Sequence, residues 1–411
     1  MNEPKLRFKA DDGSQFPDWE EKKLNEIAVR VTRKNKDNVT DIPLTISSVD
    51  GLIDQRDFFN KVVASKDMSG YYLLKNGEFA YNKSYSKGYD FGSIKRLDLY
   101  DEGALSTLYI CFALNKNENS DFYQKYFDSL SWYPELQKIC AEGARNHGLL
   151  NVPTNDFFQL KLCVPSSEQE QQKIAEFLST IDTVIEKQKE TVSAWEERKK
   201  GVMQKLFSQE VRFKADDGSE FPDWEEKKLG EVFKISTETN GDRYSKQEVL
   251  SVSDEYGVVN QIELQGRSFA GNDISKYKVV KTGQLIYTRS PLATKPFGII
   301  KRVGEKIGIV SPLYIVNDVR ENNCSMFWYY NFDMPERTNN YLQPLVRMGA
   351  KHTMNISNEE WLSGKVLSPC LAEQQKIADC LSSLDDVIAK QKATLAAWEE
   401  LKKGLLQQMF V

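Results

Sequence analysis

Apolar residues recur with a seven-residue period in two long segments. In 170–207 one column holds Ile174, Ile181, Gln188, Trp195 and Val202, and the adjacent column holds Leu178, Ile185, Val192, Lys199 and Leu206. In 373–410 the columns hold Ile377, Leu384, Gln391, Trp398 and Leu405 beside Leu381, Ile388, Leu395, Lys402 and Met409. Stripes sustained over five heptads predict long helices that pack on another helix. At about 1.5 Å per residue each is roughly 57 Å long. Each stripe carries a glutamine at its middle, Gln188 or Gln391. A polar seam residue costs stability but fixes register, and these two meet only if the helices run antiparallel. Ser167 with Glu170 has capping-box spacing, and Ser368-Pro369 offers an N-cap followed by an N1 proline. Gly201 and Gly404, at a cost of about 1 kcal/mol relative to alanine, predict a kink or a close backbone contact. Elsewhere the period shortens to β-branched and aromatic runs punctuated by Gly, Asn and Asp, such as Tyr109 to Leu114, Leu285 to Thr288 and Gly308 to Val316. These read as strands in mixed α and β units.

The two stripes belong to a duplication. Residues 6–24 return at 211–229 with two changes, Leu6/Val211 and Gln15/Glu220, at an offset of 205. The helix 170–207 returns at 373–410, offset 203. Between them the match is faint but ordered: Tyr81-Asn82-Lys83-Ser84 with Tyr287-Thr288-Arg289-Ser290, Phe91-Gly92 with Phe297-Gly298, and Gly143-Ala144-Arg145 with Gly349-Ala350-Lys351. A period near 205 is too long for a solenoid. The expectation is an α+β chain of two globular domains, 1–167 and 208–371, joined by two long helices, 168–207 and 372–411. The helices pair as an antiparallel coiled coil, giving a pseudo-twofold internal duplication. Domains strung independently would not need matching seams.

Composition changes this picture little until it is divided. Among 411 residues, 40% are hydrophobic and 28% charged, a folding composition. The net charge of −5 argues mildly against a nucleic-acid binder. Locally, however, 265–302 carries eight basic residues against Asp273 alone, a net of +7, and the matching 58–96 is net +4. Aromatics are interleaved in both: Tyr81, Tyr85, Tyr89 and Phe91, then Phe269, Tyr277, Tyr287 and Phe297. Basic residues with glycines and aromatics can grip phosphates and approach base edges. Solvated surface is the plain alternative, weakened because the two stretches occupy equivalent places.

Other chemistry is excluded by what is missing. No apolar run approaches the ~20 residues of a membrane span, and the N-terminus has no signal-peptide region, so a cytoplasmic location is expected. Six cysteines form no C-x-x-C pair, and two histidines supply no zinc-ligand spacing, so no metal site is expected. P-loop, G-x-G-x-x-G and G-x-S-x-G signatures are absent, as is the Pro-Pro-aromatic tetrapeptide of amino-methyltransferases. His147 and His352 fall near equivalent points without a partnered acid, and read as polar contacts. No catalytic residue is assigned.

The doubled E-Q-Q-K-I-A, the A-W-E-E-x-K-K-G that ends in Phe207 or Phe410, the doubled F-P-D-W-E-E-K-K-L and the Y-[NT]-[KR]-S…F-G stretch together resemble the specificity subunit of type I restriction–modification enzymes. The resemblance covers nearly the whole chain. It implies two target-recognition domains, each reading half of a split asymmetric DNA site, and a helical stalk that sets the spacing and docks two modification (methyltransferase) subunits. A restriction (motor-nuclease) subunit joins that core. S-adenosylmethionine, ATP and magnesium then belong to the partners, and this chain is a non-catalytic subunit without a cofactor. The reading residues should lie where the copies diverge: Lys83, Lys87, Arg145, Asn146 and His147 in the first domain, and Arg289, Lys295, Arg347, Lys351 and His352 in the second. Ile174, Leu178, Ile181, Gln188, Trp195, Ile377, Leu381, Leu384, Gln391 and Trp398 should pair the helices and dock partners. Tyr81 and Tyr287 are placed equally in the core or at the DNA. The rival reading is a non-enzymatic scaffold whose two domains bind proteins.

Overall fold

A computed structural model describes residues 3–59, 63–140, 150–289, 291–348 and 354–411. It divides into two compact units, 1–190 with 393–411, and 191–392. The segments 1–167 and 208–371 each fall within one unit, and the division runs inside the long helices.

In the first unit an antiparallel sheet is ordered β2 (Ala28–Arg30), β5 (Ile110–Leu114), β3 (Phe79–Asn82), β4 (Ser93–Arg96). A shorter pair, β1 (Trp19–Lys23) with β6 (Lys161–Pro165), brings the start of the unit to the strand before the long helix. Strand alternation explains why the apolar runs are continuous. Phe79, Tyr81, Ile110 and Phe112 enter a core with the helix α1 (Ser120–Ser129), while Ala80 and Cys111 on the other face enter a second core. That second core is backed by a four-stranded sheet of Gly51–Asp54, Pro43–Ser47, Glu102–Leu105 and Tyr72–Lys75. A sheet buried on both faces has no polar-out positions, so its strands read as uninterrupted hydrophobic segments.

The second unit repeats the plan with little sequence in common. Its sheet runs β8 (Phe233–Ile235), β11 (Ile315–Val319), β9 (Leu285–Thr288), β10 (Ile299–Arg302), and β7 (Glu225–Lys228) pairs with β12 (Lys365–Ser368). Leu285, Tyr287, Ile300 and Ile315 face the core with α3 (Ser325–Asp333), and Ile286 and Val316 face the other. The run Gly308 to Val316 is not one strand: a turn at Ser311 to Tyr314 separates Gly308–Val310 from β11.

The heptad stripes form the helices α2 (Glu168–Phe207) and α4 (Leu371–Met409). Each unit contains one antiparallel stretch of the pair. In the first, Ile174, Ala175 and Leu178 share a core with Leu406, Met409 and Phe410, and Asp182 bonds Lys402. In the second, Ile377, Ala378 and Leu381 share a core with Met203, Leu206 and Phe207, and Asp385 bonds Lys199. Ile181 is buried, whereas Gln188, Trp195, Leu384, Gln391 and Trp398 are half-buried. No atom lies within 4 Å of the place a β-carbon would take at Gly201 or Gly404, so neither glycine marks a close backbone contact.

Helix starts depart from the expected caps. Ser167 Oγ accepts from the Glu170 amide at 3.4 Å, but the Glu170 side chain does not reach back, because it is held elsewhere. Ser368 ends β12 and does not cap α4; the Gln374 amide donates instead to the Cys370 carbonyl.

Candidate nucleic-acid interface

Most residues shared by the two copies turn out to hold one another. Glu170, fully buried, accepts two bonds from the Arg7 guanidinium (2.9 and 2.9 Å) and one from the Trp19 indole (3.4 Å). Glu373 accepts the same three from Arg212 (3.0 and 2.8 Å) and Trp224 (3.2 Å). Lys173 bonds Asp11 and Lys376 bonds Asp216. The repeated opening motif is therefore a latch on the start of each long helix. Neither arginine was singled out from the sequence, although the repetition itself was the signal.

The tyrosines also belong to the scaffold. Tyr81 is fully buried, stacks on Phe157 (centroids 4.9 Å apart) and donates to the Phe91 carbonyl at 2.9 Å. Tyr287 stacks on Trp361 (4.8 Å) and donates to the Phe297 carbonyl at 2.8 Å. Gly92 and Gly298 follow those carbonyls with φ of 79° and 108°. A β-carbon there would lie 2.0 Å from the Asn82 carbonyl oxygen or 2.3 Å from that of Thr288. The F-G dipeptides thus let the hairpin close over the tyrosine.

The basic stretches lose much of their charge on folding. Lys95 bonds Asp128 at 2.7 Å, and its equivalent Lys301 bonds Asp333 at 2.6 Å and Asp254 at 3.0 Å. Burial would push both ammoniums down, yet the carboxylates outweigh it and raise them above the ordinary lysine range. Arg96 and Arg302 each bond the first serine of the following helix, Ser120 or Ser325, at 3.0 Å. Lys278 bonds the Tyr314 carbonyl and Lys281 bonds Glu238.

Of the expected reading residues, Lys295 is corrected. Only 3% of it is exposed, and its ammonium sits 2.7 Å from Asp254 and 3.8 Å from Asp333, so it is part of the interior and not of a DNA-facing surface. Lys83 and Arg289 are half-buried and do the same thing in each copy. Lys83 Nζ donates to the Val152 carbonyl at 3.3 Å, and an Arg289 terminal nitrogen donates to the Ile356 carbonyl at 2.9 Å. Burial lowers the Lys83 ammonium below the usual range, and Arg289 Nε is buried without a partner among the described residues. Lys87 is exposed in the turn between β3 and β4 and makes no ion pair among the described residues. Arg347 is exposed and bonds Glu360 at 2.7 Å. Arg145, Asn146, His147, Lys351 and His352 lie outside the described residues. Four further exposed cations of the basic stretches, Lys66, Lys75, Arg267 and Lys276, make no ion pair among the described residues; Arg267 stands 4.7 Å from the ring centre of exposed Phe269. What remains outward-facing is a thin set of cations on a scaffold that is nearly identical in both units.

Residues 222–397 match the family described as the type I restriction modification DNA specificity domain. A type I restriction enzyme MjaX specificity subunit of Methanocaldococcus jannaschii is 24% identical over 97% of this chain and 94% of its own length. Over nearly its whole length the chain is similar to type I restriction–modification specificity subunits. A second relative, the MjaVIII specificity subunit of the same organism, is 25% identical over 77% of this chain and 76% of its own length. The crystal structure of a type I S subunit from M. genitalium superposes with a TM-score of 0.53 at 12% identity, covering 100% of this chain and 99% of that one. A chain from a structure of type I system assembly and conformational transition gives 0.51 at 17% identity, covering 96% and 98%. These likenesses show the shared fold. No helix among the described residues is long and apolar enough to cross a membrane.

The buried ion pairs of this chain give its stability a definite acid limit. Burial pushes the Asp254 carboxyl up, but Lys295 and Lys301 outweigh it and hold it below the ordinary carboxylate range. A carboxyl with a lowered folded pKa stabilises fully above its unfolded value of about 3.9, and the contribution disappears as pH falls through the lower folded value. Asp254→Asn should therefore melt well below the wild type at pH 7. The gap should close below about pH 4, as followed by thermal unfolding across pH. A gap of constant size would show that the carboxylate charge is not what holds the two lysines.

Proposed function

We propose that each globular unit reads one half of an asymmetric, bipartite DNA site, that the helix pair sets the distance between the halves, and that it docks two modification subunits. The observation that carries this reading is the contrast between the copies. Their scaffold contacts repeat bond for bond, from Arg7–Glu170 and Arg212–Glu373 to Lys95–Asp128 and Lys301–Asp333. Their outward cations repeat only at Lys75 and Lys281; the others differ, Lys66 and Lys87 in one, Arg267, Lys276 and Arg347 in the other. One frame carrying two different surfaces suits two different half-sites. Half-sites one DNA turn apart are about 34–36 Å from centre to centre, within reach of helices of 40 and 39 residues.

Methylation of adenine, and the S-adenosylmethionine it consumes, is assigned to the modification subunits; ATP, magnesium and cleavage are assigned to a restriction subunit. The chain itself needs no cofactor and works in the cytoplasm. The test is binding of duplex DNA by the chain assembled with its modification subunits, across salt concentrations. Affinity should fall steeply with salt, and Lys87→Ala should reduce the slope by about 0.9 if the ammonium meets one phosphate. A flat salt response, or no binding by the complex, would favour the protein-scaffold reading. Base-resolution mapping of methylated adenines in cells with and without the chain would then give the two half-sites.

A further inference from the structure

Each long helix contributes an aspartate whose carboxylate joins three elements. In the first unit Asp182 of α2 accepts from Lys402 of α4 at 2.6 Å and from Lys125 of α1 at 2.5 Å. In the second, Asp385 of α4 accepts from Lys199 of α2 at 2.6 Å and from the Tyr330 hydroxyl of α3 at 2.6 Å. The positions are equivalent under the duplication: 182 with 385 and 199 with 402 at the helix offset of 203, and 125 with 330 at the domain offset of 205. Donor chemistry differs, lysine in one domain and tyrosine in the other, but the junction is the same.

What these carboxylates connect gives them a mechanical role. In the first unit the hairpin carrying Lys87 continues into β4, whose Lys95 and Arg96 bond Asp128 and Ser120 of α1. Helix α1 then bonds the helix pair through Lys125 and Asp182. In the second unit Lys301 and Arg302 of β10 bond Asp333 and Ser325 of α3, and α3 bonds the pair through Tyr330 and Asp385. Each recognition hairpin is thereby tied to the stalk through one helix and one carboxylate. Beside each junction lies an open cleft. The one in the first unit, about 490 Å³, is lined by Lys95, Asp128, Asp182 and Lys402, and the one in the second, about 430 Å³, by Lys199, Met203 and Asp333. At their N-terminal ends α1 and α3 are also held by neutral bonds, Asn119 to Gln172 (2.9 Å) and the Cys324 amide to Gln374 (2.8 Å), and Tyr330 meets Ser382 at 3.2 Å; the other contacts, such as Phe122 and Tyr126 on Phe410 or Phe327 on Phe207, are apolar and constrain direction weakly. Two directional bonds to one carboxylate constrain it strongly.

We propose that Asp182 and Asp385 are positioning residues that fix the tilt of each recognition domain on the helix pair, and so set how sharply the complex discriminates the spacing between half-sites. This rests on the bipartite reading above. The full chain is assembled with its modification subunits and assayed for methylation on duplexes with the mapped half-sites held constant and the spacer varied one base pair at a time. Asp182→Asn keeps a hydrogen-bonding side chain of the same size, and Tyr330→Phe removes one hydroxyl from the second junction while keeping the ring in place. Each should lower the preference for the native spacer over its neighbours at least fivefold, with the same bases read in both halves, well below the melting temperature. Unchanged spacer preference in both variants, or a change in the bases read, overturns the inference. A wild-type complex that shows no spacer preference overturns the bipartite reading itself, which is a separate result because no variant is involved.

Discussion

Methylation at natively spaced sites should fall more than a hundredfold when seven residues are inserted into both long helices, after Glu190 in α2 and before Ala393 in α4. Sites with a longer spacer should then be methylated in preference to native ones. Seven helical residues add about 10 Å, close to three base-pair steps of DNA. Insertion in both helices is required by the antiparallel pairing within each unit. A heptad added to α2 alone would force either α2 to bulge or α4 to give up one of its two anchors, Lys402 on Asp182 or Asp385 on Lys199. The single-helix variant should accordingly lose methylation at every spacing, whereas the matched variant should lose only the native one. Methylation assayed over a spacer series, with the wild type alongside, separates the two. A matched insertion that leaves the preferred spacer where it was would remove the ruler role from the helices.

Glu373→Ala should destabilise the second unit by about 3 kcal/mol, the range for a buried ion pair broken on one side. The carboxylate is fully buried and is the common acceptor for Arg212 and Trp224. Its loss leaves a guanidinium and an indole N–H without their acceptor at the point where the opening motif meets α4. In a unit of this size the melting temperature should drop by about 10 °C. The corresponding change in the first unit, Glu170→Ala, removes the same three bonds from Arg7 and Trp19. Scanning calorimetry of the two variants should lower different parts of the unfolding transition, because each latch lies inside its own unit. A loss below about 1 kcal/mol in either would mean that surrounding apolar contacts, not the carboxylate, close the latch.

The candidate interface was only partly legible. The basic stretches were found where the copies put them, but a charge count along the chain cannot see acids brought in from elsewhere. Lys295 illustrates the error: its neutralising partners Asp254 and Asp333 are 41 and 38 positions away, and folding turns an apparent DNA contact into a buried cluster. Lys199 and Lys402, which stood in apolar columns of the heptads, are explained the same way, by carboxylates on the facing helix. Tyr81 and Tyr287 were undecided because an aromatic ring in a strand suits a core and a base-reading surface equally; their hydroxyls, satisfied by the carbonyls of Phe91 and Phe297, place them in the core.

Sequence alone determined the duplication, the two long helices, their antiparallel pairing and the resemblance to type I specificity subunits, because periodicity and repetition are properties of order along the chain. Tertiary structure alone decided which cations are free to meet DNA and which are spent on scaffold. That outcome depends on distances between residues remote in sequence, and a lysine's chemistry is set by the carboxylate beside it in space.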